Sequence, residues 1–189
     1  MALIDLSSRT IRARIVYYGP GLGGKTTNLR TIHRLQGGAA PFVSIAGTGD
    51  RTLFFDSLPI DIDDVLGWRL RFDLYTVPGQ DAYERTRLAV LNGADGVVFV
   101  ADARVERLEE NRRSLDELRR QLARQGKPIE SFPLVLQYNK MDLPDALAAP
   151  EIDRLLEAGS APRFEAAAVA GRGVVETLRA ACKLVTASL

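Results

Sequence analysis

Two short motifs in this chain carry residue types and spacings that could do chemistry. Residues 19–26 read Gly-Pro-Gly-Leu-Gly-Gly-Lys-Thr and match the G-x-x-x-x-G-K-[ST] pattern of a phosphate-binding loop. Residues 139–142 read Asn-Lys-Met-Asp, a set of side chains that can choose guanine over adenine. Each motif could occur by chance, but the two together in one domain predict a protein that binds a guanine nucleotide.

The glycine-rich motif predicts which groups would hold the phosphates. Its glycines let the backbone approach a ligand closely, so that the amide groups surround phosphate oxygens at the start of a helix. Lys25 would reach the β- and γ-phosphates, and the Thr26 hydroxyl would bind Mg²⁺. A strand-to-helix turn without a ligand is the alternative, but such a turn needs neither the lysine nor the threonine. The predicted contacts are Gly19, Gly21, Leu22, Gly23, Gly24, Lys25, Thr26 and Thr27.

The second motif predicts how a base would be chosen. The Asp142 carboxylate can accept hydrogen bonds from guanine N1–H and the exocyclic amine together, whereas adenine offers no such pair. Asn139 can bridge the base and a loop, and the Lys140 stem can cover the base plane. The backbone at Ala167 and Ala168 could add an N–H donor against the base. A surface turn is the alternative, because Asn, Lys and Asp are common in turns.

The elements that must position these motifs alternate between strand and helix. Predicted strands cover 11–18, 70–77, 96–101 and 133–138, and predicted helices follow the glycine-rich motif and cover 105–125 and 173–187. Continuous apolar runs such as 96–101 are typical of buried parallel strands. The pattern predicts an α/β fold with a parallel-dominated central sheet and helices on both faces. The ligand is then expected at the carboxyl ends of the strands, where both motifs fall.

Length and composition agree with an ordinary globular protein. At 189 residues, one domain over residues 1–189 is expected. A net charge of +1 gives no electrostatic reason to expect nucleic acid or an anionic membrane as partner. The one cysteine, Cys182, is expected to be a core residue in a reducing compartment. No apolar run reaches spanning length and no lipidation motif is present, so we expect a cytoplasmic protein.

Four segments resemble the MglA-type bacterial small GTPases, which control cell polarity and gliding motility. In chain order they are 17–29, 50–56, 74–80 and 139–147. They extend over almost the whole chain, and the second and third are more specific than the phosphate loop, which many families share. The resemblance implies the P-loop NTPase small-GTPase fold, GTP and GDP as ligands, Mg²⁺ as cofactor, and hydrolysis of GTP to GDP.

The resemblance also implies roles around the γ-phosphate. Gln80, directly after the nucleotide-binding Gly79, resembles the glutamine that orients the attacking water. Arg51 resembles an arginine finger in this family's own first switch, a device that raises the rate by about 10³–10⁵ in other GTPases; from sequence alone, a solvated surface arginine is the alternative. Thr52 would reach Mg²⁺ or the γ-phosphate, and segment 37–49, with four glycines, could supply the mobility of a switch. The predicted catalytic residues are thus Gln80, Arg51 and Lys25.

One departure from the general GTPase pattern concerns the metal. Most small GTPases carry an aspartate three residues before Gly79, where it holds Mg²⁺ through water, whereas this chain has Thr76. A neutral hydroxyl attracts a cation less than a carboxylate does, so Mg²⁺ is expected to depend on Thr26, Thr52 and the phosphates, with slow hydrolysis. Asp73 is not expected to substitute, because its odd offset from Thr76 points to the opposite strand face.

A second departure concerns the partners. Acidic residues usually precede the switch arginine in this family, whereas 46–50 here read Ala-Gly-Thr-Gly-Asp. By resemblance we expect a roadblock-domain activator of the MglB type and polarity or motility effectors, which could recruit the protein to cell poles. A paralogue with its own partner is the alternative. Alone, the protein is expected to be monomeric.

Three functions therefore remain open from the sequence. In a switch GTPase, the nucleotide state rearranges 37–52 and 76–90 and partners read the difference. A GTP-dependent scaffold with negligible hydrolysis is made plausible by Thr76 and the altered first switch. A P-loop kinase for a small molecule would need a basic lid and an acceptor pocket, and it has no use for the Asn-Lys-x-Asp motif.

Overall fold

The computed structural model describes residues 2–38, 40–46, 52–65, 67–78, 84–157 and 159–189, with backbone alone for 44–46, 52–55 and 63–65. The elements in these ranges are β1 (Leu3–Asp5), β2 (Thr10–Tyr18), α1 (Lys25–Leu35), β3 (Val43–Ala46), β4 (Thr52–Val65), β5 (Trp68–Thr76), α2 (Glu84–Asn92), β6 (Gly96–Asp102), α3 (Leu108–Arg124), β7 (Leu134–Asn139), α4 (Ala149–Leu156), β8 (Arg163–Glu165) and α5 (Val174–Ser188). A short 3₁₀ turn, Val105–Arg107, leads into α3.

The strands form one sheet in the order β3-β4-β5-β2-β6-β7-β8, with β1 pairing to the start of β2. The central pairs β5–β2, β2–β6, β6–β7 and β7–β8 are parallel, while β3, β4 and β1 add antiparallel pairs. The predicted parallel-dominated α/β fold is therefore confirmed. The four predicted strands and the helices that the sequence placed at 105–125 and 173–187 are also confirmed, with ends that differ by at most three residues.

The long strand β4 is the largest element that the sequence pattern did not reveal. Its run of Asp residues and Pro59 weakens the strand signal, since Pro cannot donate a ladder hydrogen bond. In the sheet, β3 pairs with β4 only as far as Ser57, so the part beyond lies at an edge. Pro59 is tolerated there, and β4 pairs antiparallel to β5 along its other side.

Each face of the sheet is covered by helices, as predicted. Because successive strand residues point to opposite faces, Tyr17 and Tyr18 belong to different core clusters. One cluster joins the sheet to α1 and α5 and includes Ile15, Tyr17, Leu29, Val98, Val135, Leu178, Cys182 and Val185. The other joins it to α2, α3 and α4 and includes Val16, Tyr18, Leu91, Phe99, Leu115, Leu118 and Ile152.

Two further findings concern the single cysteine and whether a helix could span a membrane. Cys182 is a core residue, as expected, and burial raises the pKa of its thiol to about 12. Within the described ranges, no helix combines the length and apolar composition that crossing a bilayer requires.

A buried amide ties the α1 and α5 layer to the sheet just below the phosphate loop. Gln137, in the middle of β7, exchanges hydrogen bonds with the Asn28 amide at 2.8 and 3.0 Å and donates to Thr177 Oγ1 at 3.0 Å. All three side chains are fully buried. Asn28 also donates to the carbonyl of Gly24 at 3.0 Å, so this cluster supports the loop that ends there.

We expect Gln137→Leu to lower the free energy of unfolding by about 2 kcal/mol, because it leaves the Asn28 carbonyl without its buried donor. The same substitution at the exposed Gln36 should change stability by less than about 0.5 kcal/mol. Urea denaturation of the two variants measures the difference. Equal losses in both would contradict a specific role for the buried amide.

Candidate functional site

The loops after β2, β7 and β8 meet at the carboxyl edge of the parallel strands, and one side chain joins them. Asn139 ends β7 and is only 2% exposed. Its Nδ2 donates to the carbonyl of Gly23 at 2.9 Å, and its Oδ1 accepts from the backbone N–H of Ala168 at 2.9 Å. The two sequence motifs and the third loop are therefore parts of one site.

The loop between β2 and α1 is shaped by glycines at two close approaches. A Cβ on Gly19 would lie 2.3 Å from the Val100 carbonyl oxygen, and one on Gly24 would lie 2.1 Å from Asn139 Nδ2. Both glycines have positive φ, at 135° and 102°. The neighbouring Leu22 also has positive φ, at 62°, although it is not glycine. A non-glycine residue in this conformation is a sign of a backbone held for function.

Lys25, the first residue of α1, folds back over this loop. Its ammonium donates to the carbonyls of Gly19 at 2.8 Å and Pro20 at 2.6 Å, and the residue is only 6% exposed. Burial lowers the pKa of Lys25 to about 7, the positive charge of Arg87 adds to the effect, and the carboxylate of Asp56 opposes it. A phosphate group at the loop would compensate this buried charge directly.

Asp56 is a site residue that sequence reasoning missed. The antiparallel register of β4 and β5 places it beside Thr76, fully buried. Its Oδ2 accepts hydrogen bonds from Thr26 Oγ1 at 2.6 Å and from Thr76 Oγ1 at 2.9 Å. A carboxylate from the neighbouring strand thus lies beside Thr76, the position at which most small GTPases carry their own aspartate. The only sequence signal was an acid among the apolar residues of the first half of β4.

Asp73 does not provide that carboxylate, in agreement with its odd offset from Thr76. It lies on the other face of β5, where it forms salt bridges with Arg12 at 2.8 Å and Arg71 at 3.6 Å. The alternation of side chains along one strand was enough to exclude it, whereas finding Asp56 required the pairing of two strands.

The turn after β7 carries the remaining residues of the base motif. Lys140 has φ of 68° and its ammonium contacts the Asp102 carboxylate at 2.6 Å. Asp142 is exposed, and its carboxylate makes no hydrogen bond to any residue that the structure describes. The Ala167 N–H donates within its own turn, to the Arg172 carbonyl at 3.0 Å. Of the two predicted backbone donors, only that of Ala168 points to Asn139.

Several predicted residues cannot be placed. Arg51, Gly79 and Gln80 lie outside the described residues, and Thr52 begins β4 but its side chain is not described. Their roles stay predictions. The other predicted contacts, from Gly19 to Thr27, occupy the loop and the first turn of α1.

Comparisons with known proteins cover most or all of the chain. The family model described as the ADP-ribosylation factor family matches residues 2–183. The chain is 47% identical over 191 residues to the mutual gliding-motility protein MglA of Myxococcus xanthus (strain DK1622), covering 100% of this chain and 98% of that protein. It is 31% identical over 146 residues to the human ADP-ribosylation factor-like protein 4A, covering 77% of this chain and 66% of that protein.

We expect the Lys25 ammonium to titrate near pH 7, well below the usual lysine value of about 10.4, because the free loop buries its charge. NMR titration of the lysine ε-methylene signals measures it, and Lys25→Gln assigns the signal by its loss. Addition of a phosphate-bearing ligand should move the midpoint upward. A Lys25 midpoint above pH 9 in the free protein would contradict the burial argument.

Proposed function

Because the chain belongs to the ADP-ribosylation factor family and is a small GTPase of the MglA type, we infer that it is a molecular switch. It binds GTP, hydrolyses it slowly to GDP, and presents a different surface in each state. The observation that carries this proposal is the Asn139 bridge. It fixes the base motif directly against the phosphate loop, so that one nucleotide spans both.

The residues at the start of α1 fit a Mg²⁺ ion. Thr26 and Asp56 offer hard oxygen donors within 2.6 Å of each other. Among the described residues no group of three His, Cys, Asp or Glu side chains could hold a metal ion alone. Mg²⁺ in nucleotide sites uses one or two protein oxygens together with substrate phosphates, which matches this set.

We assign Thr26 and Thr52 as the metal ligands, with Asp56 accepting from the Thr26 hydroxyl and adding negative charge behind it. Mg²⁺ held there would neutralise the negative charge that develops on the phosphates. The expectation that Mg²⁺ depends more on Thr26, Thr52 and the phosphates is thereby extended by a buried carboxylate beside Thr76.

The chemical step is assigned to three residues. Lys25 would turn its ammonium from the loop carbonyls to the β- and γ-phosphates. Gln80 would orient the attacking water, and Arg51 would stabilise the charge that develops on the γ-phosphate. Arg51 and Gln80 belong to the predicted switch segments 37–52 and 76–90. Asp56, just after the first segment, accepts hydrogen bonds from Thr26 and from Thr76, the first residue of the second, so the proposed metal site is connected to both predicted switches.

The cellular role is proposed from the relatives. The similar Myxococcus xanthus protein is named for gliding motility, and we extend to this chain a role in motility or cell polarity. An activator with a roadblock domain would accelerate hydrolysis, and effectors would bind the GTP state and take the protein to its site of action.

A GTP-held scaffold is the second candidate, favoured by the hydroxyl of Thr76 where most small GTPases have a carboxylate. The P-loop kinase retains no support, since the chain belongs to a GTPase family.

Single-turnover GTP hydrolysis, alone and with a roadblock-domain protein from the same genome, separates the switch from the scaffold. We expect slow turnover that the partner accelerates. Gln80→Leu and Arg51→Ala should each keep GTP binding and lower hydrolysis at least about tenfold, within the range of such groups. Unchanged turnover in both variants would remove their catalytic roles, and tight binding without hydrolysis would indicate the scaffold.

We expect Asp142→Asn to weaken GTP binding about 10- to 100-fold and to reduce the preference for GTP over ATP, because a bidentate contact to the base is lost. Xanthine nucleotides should bind better, since the asparagine amide can donate to their extra carbonyl. Equilibrium titration with fluorescent nucleotides measures all three bases. Asp145→Asn, which removes the same charge from the same exposed turn, should leave base choice unaltered.

A further inference from the structure

We propose that Asp102 and Arg104 control how long the nucleotide stays bound, by setting the position of Lys140. This inference rests on the proposed function, because it assigns positioning residues to the same base site. Asp102 ends β6, next to the base motif in the sheet, where its backbone pairs with Asn139. It belongs to neither sequence motif, and nothing in its neighbourhood suggested a role from the sequence alone.

The Asp102 carboxylate is buried and is held by several cations. Its side chain is fully excluded from solvent. Lys140 Nζ lies 2.6 Å from Oδ2, and the Arg104 guanidinium donates to Oδ1 at 3.1 Å and to Oδ2 at 2.9 Å. The Arg107 guanidinium approaches Oδ2 at 4.0 Å. Burial acts to raise the pKa of Asp102, but the hydrogen bonds from Arg104 and Lys140 outweigh it and lower the pKa, so the carboxylate is ionised at neutral pH.

The position of Asp102 is fixed from behind by a second buried side chain. Asn111, in the first turns of α3, accepts from the Asp102 N–H at 3.0 Å and donates to the Asp102 carbonyl at 2.8 Å. This pair of bonds locks the end of β6 to α3. The backbone that carries the carboxylate is therefore held in place independently of the cationic side chains that contact it.

Lys140 is the side chain that the Asp102 carboxylate restrains. Its backbone is in the left-handed region, with φ of 68°, so its direction is already unusual. With the ammonium anchored on Asp102, the four-carbon stem is held in one conformation. A stem that is ordered before the base arrives loses less conformational freedom on binding, and preorganisation of this kind tightens binding.

Arg104 competes with Lys140 for the same oxygen atom. Both approach Asp102 Oδ2, and Arg104 divides its guanidinium between Asp102 and Glu106, which it contacts at 2.8 Å. Its side chain is 25% exposed, so it can leave the carboxylate for solvent more easily than a buried group could. Without Arg104, Lys140 should be the only side chain that donates a hydrogen bond to Asp102 Oδ2. The Lys140 stem should then be held more firmly.

The same segment also contacts the phosphate side of the site. Arg107 donates to the carbonyl of Gly21 at 2.9 Å and pairs with Glu110 at 2.8 Å. The end of β6 and the turn after it thus hold Lys140 on one side and the phosphate loop on the other. Loosening this segment should affect release of the whole nucleotide, not of one base in particular.

The test is the dissociation rate of fluorescent GDP from the Mg²⁺-loaded full chain, chased with unlabelled GDP. Asp102→Asn leaves three cationic side chains around a neutral amide, and we expect release at least about tenfold faster. Arg104→Gln should act in the opposite direction and slow release about threefold. The double variant Asp102→Asn/Arg104→Gln, without the competing guanidinium, should release GDP more slowly than Asp102→Asn alone.

Arg113→Gln, at an exposed α3 arginine that pairs with Glu109, is the matched control and should leave the rate of GDP release unchanged.

Inosine diphosphate, which lacks the exocyclic amine, separates positioning of Lys140 from base choice. Asp102→Asn should accelerate release of GDP and inosine diphosphate by the same factor, because the Lys140 stem covers the purine ring plane, which is the same in both bases. Asp142→Asn should affect GDP more than inosine diphosphate.

Three results would overturn the inference in a protein that binds GDP: unchanged release from Asp102→Asn, faster release from Arg104→Gln, or equal acceleration in Arg113→Gln. If Asp102→Asn does not fold, Arg104→Gln tests the inference alone. Because the Arg104 side chain is partly exposed, this variant should fold, and it should release GDP more slowly than the wild type. A wild-type chain that fails to bind GDP would instead refute the proposed function, and the measurement distinguishes the two failures.

Discussion

The amide of Asn139 is the interaction on which the rest of the site depends. One nearly buried side chain binds the phosphate loop through Gly23 and the third loop through Ala168, while its own backbone begins the base motif. Its position requires that residue 24 have no side chain, since a Cβ there would overlap Nδ2. The glycine that lets the loop approach phosphate is therefore also the glycine that admits the asparagine. Loop and base motif are constrained by the same few atoms.

Around this bridge, the carboxyl edge of the sheet collects charged groups that a protein interior does not normally hold. Lys25, Asp56 and Asp102 are all nearly or fully buried. Each is stabilised by a different means: backbone carbonyls for the ammonium, threonine hydroxyls for Asp56, and cationic side chains for Asp102. Buried charges interact strongly because solvent screens them little. A ligand that brings phosphates and a cation to this edge would therefore replace some of the present contacts of these buried charges with contacts to itself.

The antiparallel pair β4–β5 brings a carboxylate to the proposed metal site. Thr76 ends β5, and Asp56 reaches it from β4. Since β4 follows the predicted first switch and β5 precedes the predicted second switch, a shift of one strand along the other would alter the Thr26–Asp56–Thr76 contacts. The mixed edge of the sheet thus places the carboxylate where conformational change and metal binding can influence each other.

The sequence by itself determined the local chemistry. Glycines that admit close approach, Lys25 and Thr26 at a helix start, Asp142 in a turn and the apolar runs of the central strands were all readable, because each depends on residues adjacent along the chain. The parallel core, the helices on both faces and the burial of Cys182 followed from the same patterns.

Only the tertiary structure decided what depends on register between distant strands. Asp56 beside Thr76, Asp102 beneath Lys140, and the long edge strand β4 have no local signature. An acid in a strand acquires its role from the residues that neighbouring elements place beside it. That pairing is a property of the packed sheet, and a one-residue change of register would turn those carboxylates to the other face.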